Sequence, residues 1–328
     1  MASTPLETAV FVMDPVESLD IAGDTTFVIM LEAQRRGVRV LEAHPSDLEV
    51  DAGRVLARVR ELTLRREEGN HFEAGEPFML DLEAGVDLVL QRKDPPVDAA
   101  YVTATQILGL CRRALVLNRP AGILAANEKL YALGFADLMP PTRVTASIAS
   151  LRAYLEELGG EMIVKPLEGR GGEGIFHVHR GDRNLGSILE QSTAFGTRPV
   201  MAQAYLKEVR VGDKRILLAD GEPLGCVLRV PAEGDHRANL HVGGSAARAG
   251  LDADDRRIIE RLAPSLRRDG LFFVGIDVIG GRLTEVNVTS PTGVQEIDRL
   301  EERCLEADLL DAMEARVLAH RREGAAGG

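Results

Sequence analysis

The chain has 328 residues, a formal net charge of -12, 45% hydrophobic residues and 27% charged residues. The length predicts about two domains of ordinary globular composition. An acidic chain without a long run of Lys or Arg is not expected to bind nucleic acid, and no stretch approaches the ~18 apolar residues of a membrane span.

The N-terminus and the cysteines point to a cytoplasmic protein. No cationic segment followed by a long apolar stretch opens the chain, so no signal peptide is predicted. The three cysteines are widely spaced and lack metal-binding spacing. They favour a reducing compartment over a disulfide framework or a zinc site.

The first third of the chain predicts a parallel sheet covered by helices. Apolar runs predict strands at 9–13, 38–41, 86–91 and 115–117, and helical spacing predicts helices at 27–36 and 99–113. A hairpin over 48–64 and a polar loop over 65–76 separate them.

A basic segment, Arg92-Lys-Asp-Pro-Pro96, follows one of these predicted strands. Ligands of parallel sheets bind beyond the carboxyl ends of the strands, so Arg92 and its neighbour are placed to meet an anionic substrate. The alternative is that both are solvated loop charges.

A second folding unit is predicted to begin with a helix at Asn127, after the Ala/Gly-rich segment 120–126. A helix over 149–158 follows. Strands over 161–167 and 175–179 then enclose a loop with four glycines.

That loop contains Gly169-x-Gly171-x-x-Gly174. The dinucleotide fingerprint of this form requires a following helix, whereas β-branched and aromatic residues follow here, so a Rossmann motif is rejected. A flap whose backbone amides cover phosphates is favoured over a plain glycine turn. Lys129 and Lys165 are the predicted phosphate cations.

The last third predicts antiparallel strands at 200–206, 214–219 and 223–230. The polar, Gly-bearing segment 231–245 is either disordered or an active-site lid, and its Arg237 and Asn239 favour the lid. A helix over 252–268 interrupted by Pro264, a helix over 301–320 and a disordered tail from Gly324 complete the prediction.

Between those last helices, residues 271–288 predict a hairpin whose turn contains Gly280-Gly281. A two-residue loop would place Asp277 opposite Thr284 and facing away from Glu285. A three-residue loop, Gly280 to Arg282, would instead pair Asp277 with Glu285.

This pairing brings possible metal ligands together. Asn287 would share the face of Asp277 and Glu285, while Val278, Val286 and Val288 point into the core. Facing carboxylates with an amide oxygen, and no Cys or His, suit Mg²⁺ held together with nucleotide phosphates. The alternative is a solvated hairpin face with two ordinary acids.

Histidine and cysteine positions carry less information. His177 and His179 alternate on one strand face, but with no third ligand near them in sequence an exposed strand is the favoured interpretation. Cys226 and Cys304 have no basic partner and are interpreted as buried small hydrophobes.

Eight stretches carry a family resemblance: Met13-Asp-Pro15, Thr25 to Gly37 with its Leu31-Glu-Ala-Gln-Arg-Arg-Gly37, Arg92-Lys-Asp-Pro-Pro96, Asn127-Glu-Lys129-Leu, Lys165-Pro-Leu, Gly212-Asp-Lys-Arg215, Gly275 to Gly280 and Glu285-Val-Asn-Val-Thr-Ser-Pro-Thr292. Together they resemble the bacterial-type glutathione synthetases, a family of ATP-grasp ligases, from about Val10 to the last helix.

The resemblance implies an ATP-grasp fold preceded by an N-terminal parallel α/β domain. The expected divisions are an N-terminal domain over 1–124, a small lid domain over 125–200, a catalytic domain over 201–320 and a disordered tail over 321–328.

The resemblance also implies a role for each candidate residue. Lys129 and Lys165 would hold ATP phosphates under the loop that contains Gly169, Gly171, Gly172 and Gly174. The hinge Gln203, Ala204, Tyr205 and Leu206 would meet adenine, and Asp213 the ribose. Asp277, Glu285 and Asn287 would hold Mg²⁺, with Mn²⁺ as the alternative.

Further residues would act on the substrates, again as the resemblance implies. Arg215 and Arg229 would position the acyl acceptor and the developing charge. Arg237 and Asn239 would move with the lid, and Arg92, Ser290 and Thr292 would bind substrate.

The reaction implied is ATP-dependent joining of γ-glutamylcysteine to glycine by a homo-oligomer, with a tetramer favoured. Ala22-Gly23 and Gly243-Gly244-Ser-Ala-Ala-Arg248 depart from the family pattern near the expected peptide site. A related ligase for another dipeptide or amino acid, and a non-catalytic nucleotide-binding protein, are the alternatives.

Overall fold

The structure, a computed structural model, describes residues 6–169, 171–232 and 243–326. Its strands form three sheets within those ranges. The N-terminal elements are β1 (Thr8–Val12), α1 (Thr25–Arg35), β2 (Arg39–Ala43), β3 (Leu48–Asp51), β4 (Arg54–Leu64), β5 (Phe72–Ala74), β6 (Phe78–Asp81), β7 (Leu88–Gln91), α2 (Ala99–Leu108), β8 (Leu115–Leu117) and α3 (Pro120–Ala125).

The first sheet has the order β3-β4-β2-β1-β7-β8, and β5 and β6 also pair with β4. β1 is parallel to β2 and β7, and β7 is parallel to β8, as predicted. Asp24 caps α1 by accepting from the Phe27 amide. Two predictions were wrong: the loop 65–76 contains β5, and α2 ends at Leu108, before Gly109, which lowers helix stability.

The second sheet forms the next unit. It contains β9 (Thr142–Thr145), β10 (Glu161–Pro166), β11 (Phe176–His179) and β12 (Val200–Ala204), with α4 (Ile148–Glu157) and α5 (Leu185–Ser192) beside them. The antiparallel order is β11-β10-β12-β9. Met162, Val164 and Val178 are buried against the two helices, which leaves the alternate side chains on the opposite face.

The helix predicted to open at Asn127 is absent from the described residues there. The Asn127 side chain accepts instead from the amides of Lys129 and Leu130, and a 3-10 helix follows at Tyr131–Phe135. Asn favours such local turns because its side chain competes with helical backbone bonding. The turn holds Lys129 in a fixed position beside the third sheet.

The third sheet has the order β15-β14-β13-β16-β17. Its strands are β13 (Asp213–Ala219), β14 (Glu222–Val230), β15 (Ser245–Arg248), β16 (Phe273–Ile279) and β17 (Arg282–Asn287), and its helices are α6 (Ala253–Asp269), α7 (Val294–Glu301) and α8 (Leu305–Ala326). None of the helices in the described ranges is both long and apolar enough to cross a bilayer.

Predictions for the C-terminal helices need correction. α6 runs through Pro264 without a break, since the buried Ile258, Leu262 and Leu266 anchor one face along its length. The predicted helix 301–320 corresponds to α8, which begins only at Leu305. The separate helix α7 precedes it and ends at Glu301, where the next residue, Glu302, adopts a left-handed conformation. The predicted disordered tail is helical through Ala326.

The contact between α3 and the C-terminal end of α6 leaves no room for a side chain at Gly122. A Cβ there would lie 2.2 Å from the Asp269 carbonyl oxygen. We expect Gly122→Ala to lower the free energy of unfolding by about 1–3 kcal/mol, measured by urea denaturation. Gly134→Ala is the control, since nothing lies within 4 Å of its added Cβ. Equal stability of the two variants would contradict the close contact.

The α7–α8 junction predicts a pH effect on stability. Burial and the neighbouring Glu306 raise the pKa of Asp298 to about 7. The folded protein therefore keeps a proton that the unfolded chain releases near pH ~4, so this group's contribution to stability declines as pH rises from about 4 to 7.

Asp298→Asn should reduce that decline, because an amide does not ionise and its oxygen can still accept from the Leu305 amide, 2.7 Å away in the wild type. Chemical denaturation across the pH range measures it, with the exposed Asp308→Asn as control. Parallel pH profiles for wild type and Asp298→Asn would contradict the prediction.

Candidate functional site

A cavity of about 900 Å³ lies where the three sheets meet. The glycine loop, the ends of β1 and β7, and the inner faces of β13, β16 and β17 all contribute to its wall. The predicted site residues that line it are Arg92, Lys129, Lys165, Gly169, Gly171, Gly172, Gln203, Ala204, Tyr205, Leu206, Asp213, Arg215, Arg229, Asp277, Glu285, Asn287, Ser290 and Thr292.

One described site residue is missing from that wall, and two others cannot be placed relative to it. Gly174 belongs to the loop but is not in the cavity lining. Arg237 and Asn239 lie outside the described residues. The predicted lid role of these two residues stays a prediction.

Strands β16 and β17, which carry Asp277 and Glu285, form a hairpin that we call the acidic hairpin. It has the predicted pairing but not the predicted turn. Ile279 pairs with Arg282, so the loop is the two-residue Gly280-Gly281, and the three-residue loop was wrong. A β-bulge restores the pairing of Asp277 with Glu285 by leaving Thr284 as an extra residue. The Thr284 hydroxyl donates to the Asp277 carbonyl at 3.1 Å, which closes the bulge.

Arginines from the neighbouring strands β13 and β14 surround Asp277. Arg215 donates to both carboxylate oxygens, at 2.5 and 2.9 Å, and Arg229 Nη2 lies 3.0 Å from Oδ2. Burial alone would raise the pKa of Asp277, but the two guanidinium groups lower it well below its usual range. Asp277 is therefore a buried carboxylate held in its charged form.

Lysines neutralise the second carboxylate of the hairpin. Lys165 Nζ lies 3.3 Å and Lys129 Nζ 3.6 Å from Glu285 Oε1. Burial acts to raise the pKa of Glu285, but these ammonium groups hold it below its usual value. Both lysine side chains are only 6% exposed, so their charge is directed into the cavity rather than to bulk water.

The donor set of the hairpin fits a hard divalent cation. Asn287 Nδ2 donates to the Gly275 carbonyl at 3.2 Å and to Asp277 Oδ2 at 3.3 Å, so Oδ1 is the amide atom available to a cation. Carboxylates and an amide oxygen are Mg²⁺ or Mn²⁺ ligands. The residues present therefore match the chemistry of such an ion.

The glycine loop forms another part of the cavity wall. Gly169, Gly171 and Gly172 have φ of +116°, +63° and +85°, a conformation that side-chain-bearing residues rarely adopt. The loop joins the antiparallel strands β10 and β11, which confirms the rejection of a Rossmann motif. Gln203 is fixed by donating to the Thr142 hydroxyl at 2.9 Å, and residues 204–206 continue the wall.

Arg92 contributes to the cavity wall from the carboxyl end of β7. It donates to the Thr26 hydroxyl and to the Pro291 carbonyl, both at 3.0 Å. Its Nη1 is buried and has no hydrogen-bond partner within the described ranges. Burial lowers the pKa of Arg92, and an anion at Nη1 would satisfy this donor. Ser290 and Thr292 flank Pro291 in the chain and belong to the same cavity wall.

Asp213 completes the site beside Arg229, with which it forms an ion pair. Burial raises the pKa of Asp213 to about 6, and the nearby Asp277 adds to this effect. Its Oδ1 is buried and accepts no hydrogen bond from any described residue. The atom is therefore suited to accept from a ligand hydroxyl.

Two features of the site were missed in the sequence. Glu128 lines the cavity, accepts from the Thr289 hydroxyl at 3.0 Å and has a pKa raised by burial and by Glu285. Its position next to Lys129 was the available signal. The second feature is the ion pair between Asp14 and Lys93, which are 3.0 Å apart and both line the cavity. The sequence carried no signal for this pair, because only the parallel sheet brings the two residues together.

The histidine pair of β11 also differs from expectation. A third potential ligand does lie close: Glu161 on β10 is directly opposite His179, and its Oε1 is 2.9 Å from His177 Nε2. Sequence spacing could not show this, because the ligand comes from the neighbouring strand. Cys304, predicted to be buried, is exposed, whereas Cys226 is buried as expected.

Comparisons with known proteins give the same family at both ends of the chain. Residues 8–123 match the prokaryotic glutathione synthetase N-terminal domain, and residues 128–302 match the prokaryotic glutathione synthetase ATP-grasp domain. A glutathione synthetase of Mesorhizobium japonicum is 47% identical, covering 93% of this chain and 97% of the relative. One of Gloeobacter violaceus is 46% identical, covering 92% and 94%.

Solved structures share the fold at low sequence identity. The D-cycloserine synthetase DcsG superimposes with a TM-score of 0.65 at 18% identity, covering 94% of this chain and 99% of that one. With such matches over nearly its whole length, the chain belongs to the prokaryotic glutathione synthetase family, with an ATP-grasp fold behind an N-terminal α/β domain.

Proposed function

We propose that this protein is an ATP- and divalent-metal-dependent ligase that joins γ-glutamylcysteine to glycine, releasing glutathione, ADP and phosphate. Family membership supports the reaction. The structural observation that carries it is the meeting of two lysines, two arginines and the acidic hairpin in one cavity, at distances of 2.5–3.6 Å. Such a site can hold a polyphosphate and a carboxylate together.

The chemistry proceeds in two steps. An oxygen of the substrate's C-terminal carboxylate attacks the γ-phosphorus of ATP, and the bond to ADP breaks. The amine of glycine then attacks the resulting acylphosphate carbonyl, loses a proton, and displaces phosphate, which carries away the former carboxylate oxygen. Converting the carboxylate to a mixed anhydride supplies a leaving group that the free carboxylate lacks.

Specific residues support each step. Lys129 and Lys165 are proposed to transfer their contacts from Glu285 to ATP phosphates, under backbone amides of the glycine loop. Arg215 and Arg229 remain anchored on Asp277 and stabilise charge on the transferring phosphoryl group. Their fixed positions mean that little reorganisation is needed during the reaction.

The remaining wall is proposed to select the substrates. Gln203 to Leu206 meet adenine, and Asp213 accepts from a ribose hydroxyl through its unpartnered Oδ1. Arg92 Nη1, Ser290 and Thr292 bind a substrate carboxylate. Enclosure protects the acylphosphate from water, and Arg237 and Asn239 are proposed to complete that enclosure.

Asp277, Glu285 and Asn287 are proposed to hold the metal, with Mg²⁺ preferred over Mn²⁺. The bound ion would neutralise phosphate charge and orient the phosphoryl group. We further propose that the enzyme acts in the cytoplasm as a homo-oligomer, with a tetramer favoured, and that residues 125–200 and 201–320 act as separate lid and catalytic domains. Sedimentation at two protein concentrations tests the oligomer.

Omission of each substrate in turn tests the ligase function. ADP release should require γ-glutamylcysteine, and full turnover should require glycine as well, with glutathione identified by mass. A panel of other dipeptides and amino acids distinguishes a related ligase. Nucleotide binding without turnover on any of them would indicate a non-catalytic protein and contradict the proposal.

A further inference from the structure

A cluster of side chains of the types that ligate transition metals lies outside the residues used above. Glu161, His177 and His179 place one carboxylate oxygen and two ring nitrogens within 4.8 Å of one another. We propose that these three residues bind a Zn²⁺-class transition-metal ion on the open face of the second sheet.

The sheet fixes the positions of the three ligands. Glu161 pairs directly with His179 across β10 and β11, and His177 is two residues away on the same face. Val178, on the other face, is fully buried and anchors the strand. The His177 ring stacks on Tyr205, with centroids 3.9 Å apart and an interplanar angle of 20°, so it too is oriented before a cation binds.

Two of the distances between ligand atoms lie on either side of the value expected in a zinc site. Glu161 Oε1 is 2.9 Å from His177 Nε2 and 3.9 Å from His179 Nδ1. Bonds of about 2.0–2.1 Å in a tetrahedral arrangement place ligand atoms roughly 3.4 Å apart. A bound ion would replace the hydrogen bond between Glu161 and His177 with only small side-chain movements.

Ligand type separates this cluster from the acidic hairpin. Two imidazoles with one carboxylate favour Zn²⁺ or Co²⁺ over Mg²⁺, which prefers oxygen ligands. Glu161 is four residues from Lys165 along β10, or about 13 Å, so the sites share no ligand. β11 is an edge strand, and the His179 side chain is 54% exposed, which gives an ion and its remaining water ligands access.

The site also adjoins the nucleotide cavity. Tyr205 forms part of the cavity wall while stacking on His177. A cation bound by His177 would therefore lie against the outer side of the proposed adenine pocket. The assignment of the metal ligands stands independently of the proposed reaction.

Titration of the full chain, first stripped with a chelator, tests the proposal. Excess Mg²⁺ is included to occupy oxygen-rich sites. We expect one equivalent of Zn²⁺ to bind by calorimetry. Co²⁺ should give visible d–d absorption without a thiolate charge-transfer band. Glu161→Gln and His179→Asn should each weaken binding by more than about tenfold.

The surface variant His320→Ala is the matched control and should bind as the wild type does. His177 is left in place because its loss would also remove the Tyr205 contact, and thermal unfolding checks that both test variants fold. Equal affinity in the wild type and Glu161→Gln would overturn the site. A cobalt spectrum dominated by thiolate charge transfer would overturn it as well, by assigning the ion to cysteine.

Discussion

Glu285→Gln should lower kcat by at least about 100-fold at saturating substrates. Loss of a residue that merely orients a metal ligand already lowers activity by about 10- to 100-fold, and loss of the ligand itself should lower it further. The substitution keeps the side chain's size but removes the charge that lies 3.3 Å from Lys165 and 3.6 Å from Lys129. Steady-state ADP release measures the loss.

The control for this variant is Glu222→Gln, at the start of β14. Glu222 is an exposed carboxylate that pairs with Arg267 and does not line the cavity. Its loss should leave kcat unchanged. If the Glu285→Gln variant folds correctly and turns over as fast as the wild type, Glu285 is not a ligand of the proposed metal.

Asp277→Asn should affect both folding and catalysis. It removes the charge that faces Arg215 at 2.5 Å and Arg229 at 3.0 Å. The buried Arg215 guanidinium loses the carboxylate that it contacts at both oxygens, and Arg229 is left with its ion pair to Asp213. Breaking a buried ion pair in this way costs about 3–5 kcal/mol in the free energy of unfolding. Denaturant unfolding at neutral pH measures it, and turnover should be lost in parallel.

The pH dependence gives this prediction an internal check. The pKa of Asp277 is lowered in the folded state, so its contribution is present above the unfolded pKa of about 4 and declines as pH falls through the folded value. The stability gap between wild type and variant should therefore narrow in acid. The exposed pair Asp254–Arg257 provides the control, because Asp254→Asn should cost less than about 1 kcal/mol. Similar losses in the two variants would contradict the role of the buried network.

The acidic hairpin illustrates how far sequence reasoning extends. Side-chain alternation predicted that Asp277 and Glu285 face each other only if the register shifted by one residue, and a three-residue turn was assumed to provide that shift. It could not distinguish a longer turn from a bulge, because both shift the register by one residue. Thr284 carries no distinctive signal at the bulge, and only the observed pairing of Ile279 with Arg282 identifies it.

Contacts between distant segments were the other limit. The predicted hairpin placed the two acids face to face. It did not show that Arg215 and Arg229 contact Asp277, or that Lys129 and Lys165 contact Glu285. For the same reason, the sequence did not show that Glu161 lies beside His177 and His179. Strands and capped helices depend on residues that are close in sequence, and they were largely predictable. Neutralisation of the buried carboxylates depends instead on which strands the fold places side by side.

Transfer of oxygen from substrate to phosphate tests the central mechanism most directly. With heavy oxygen in the C-terminal carboxylate of γ-glutamylcysteine, each turnover should place one labelled oxygen in the released phosphate, as an acylphosphate requires. Phosphate without label, released while glutathione accumulates, would contradict the acylphosphate route.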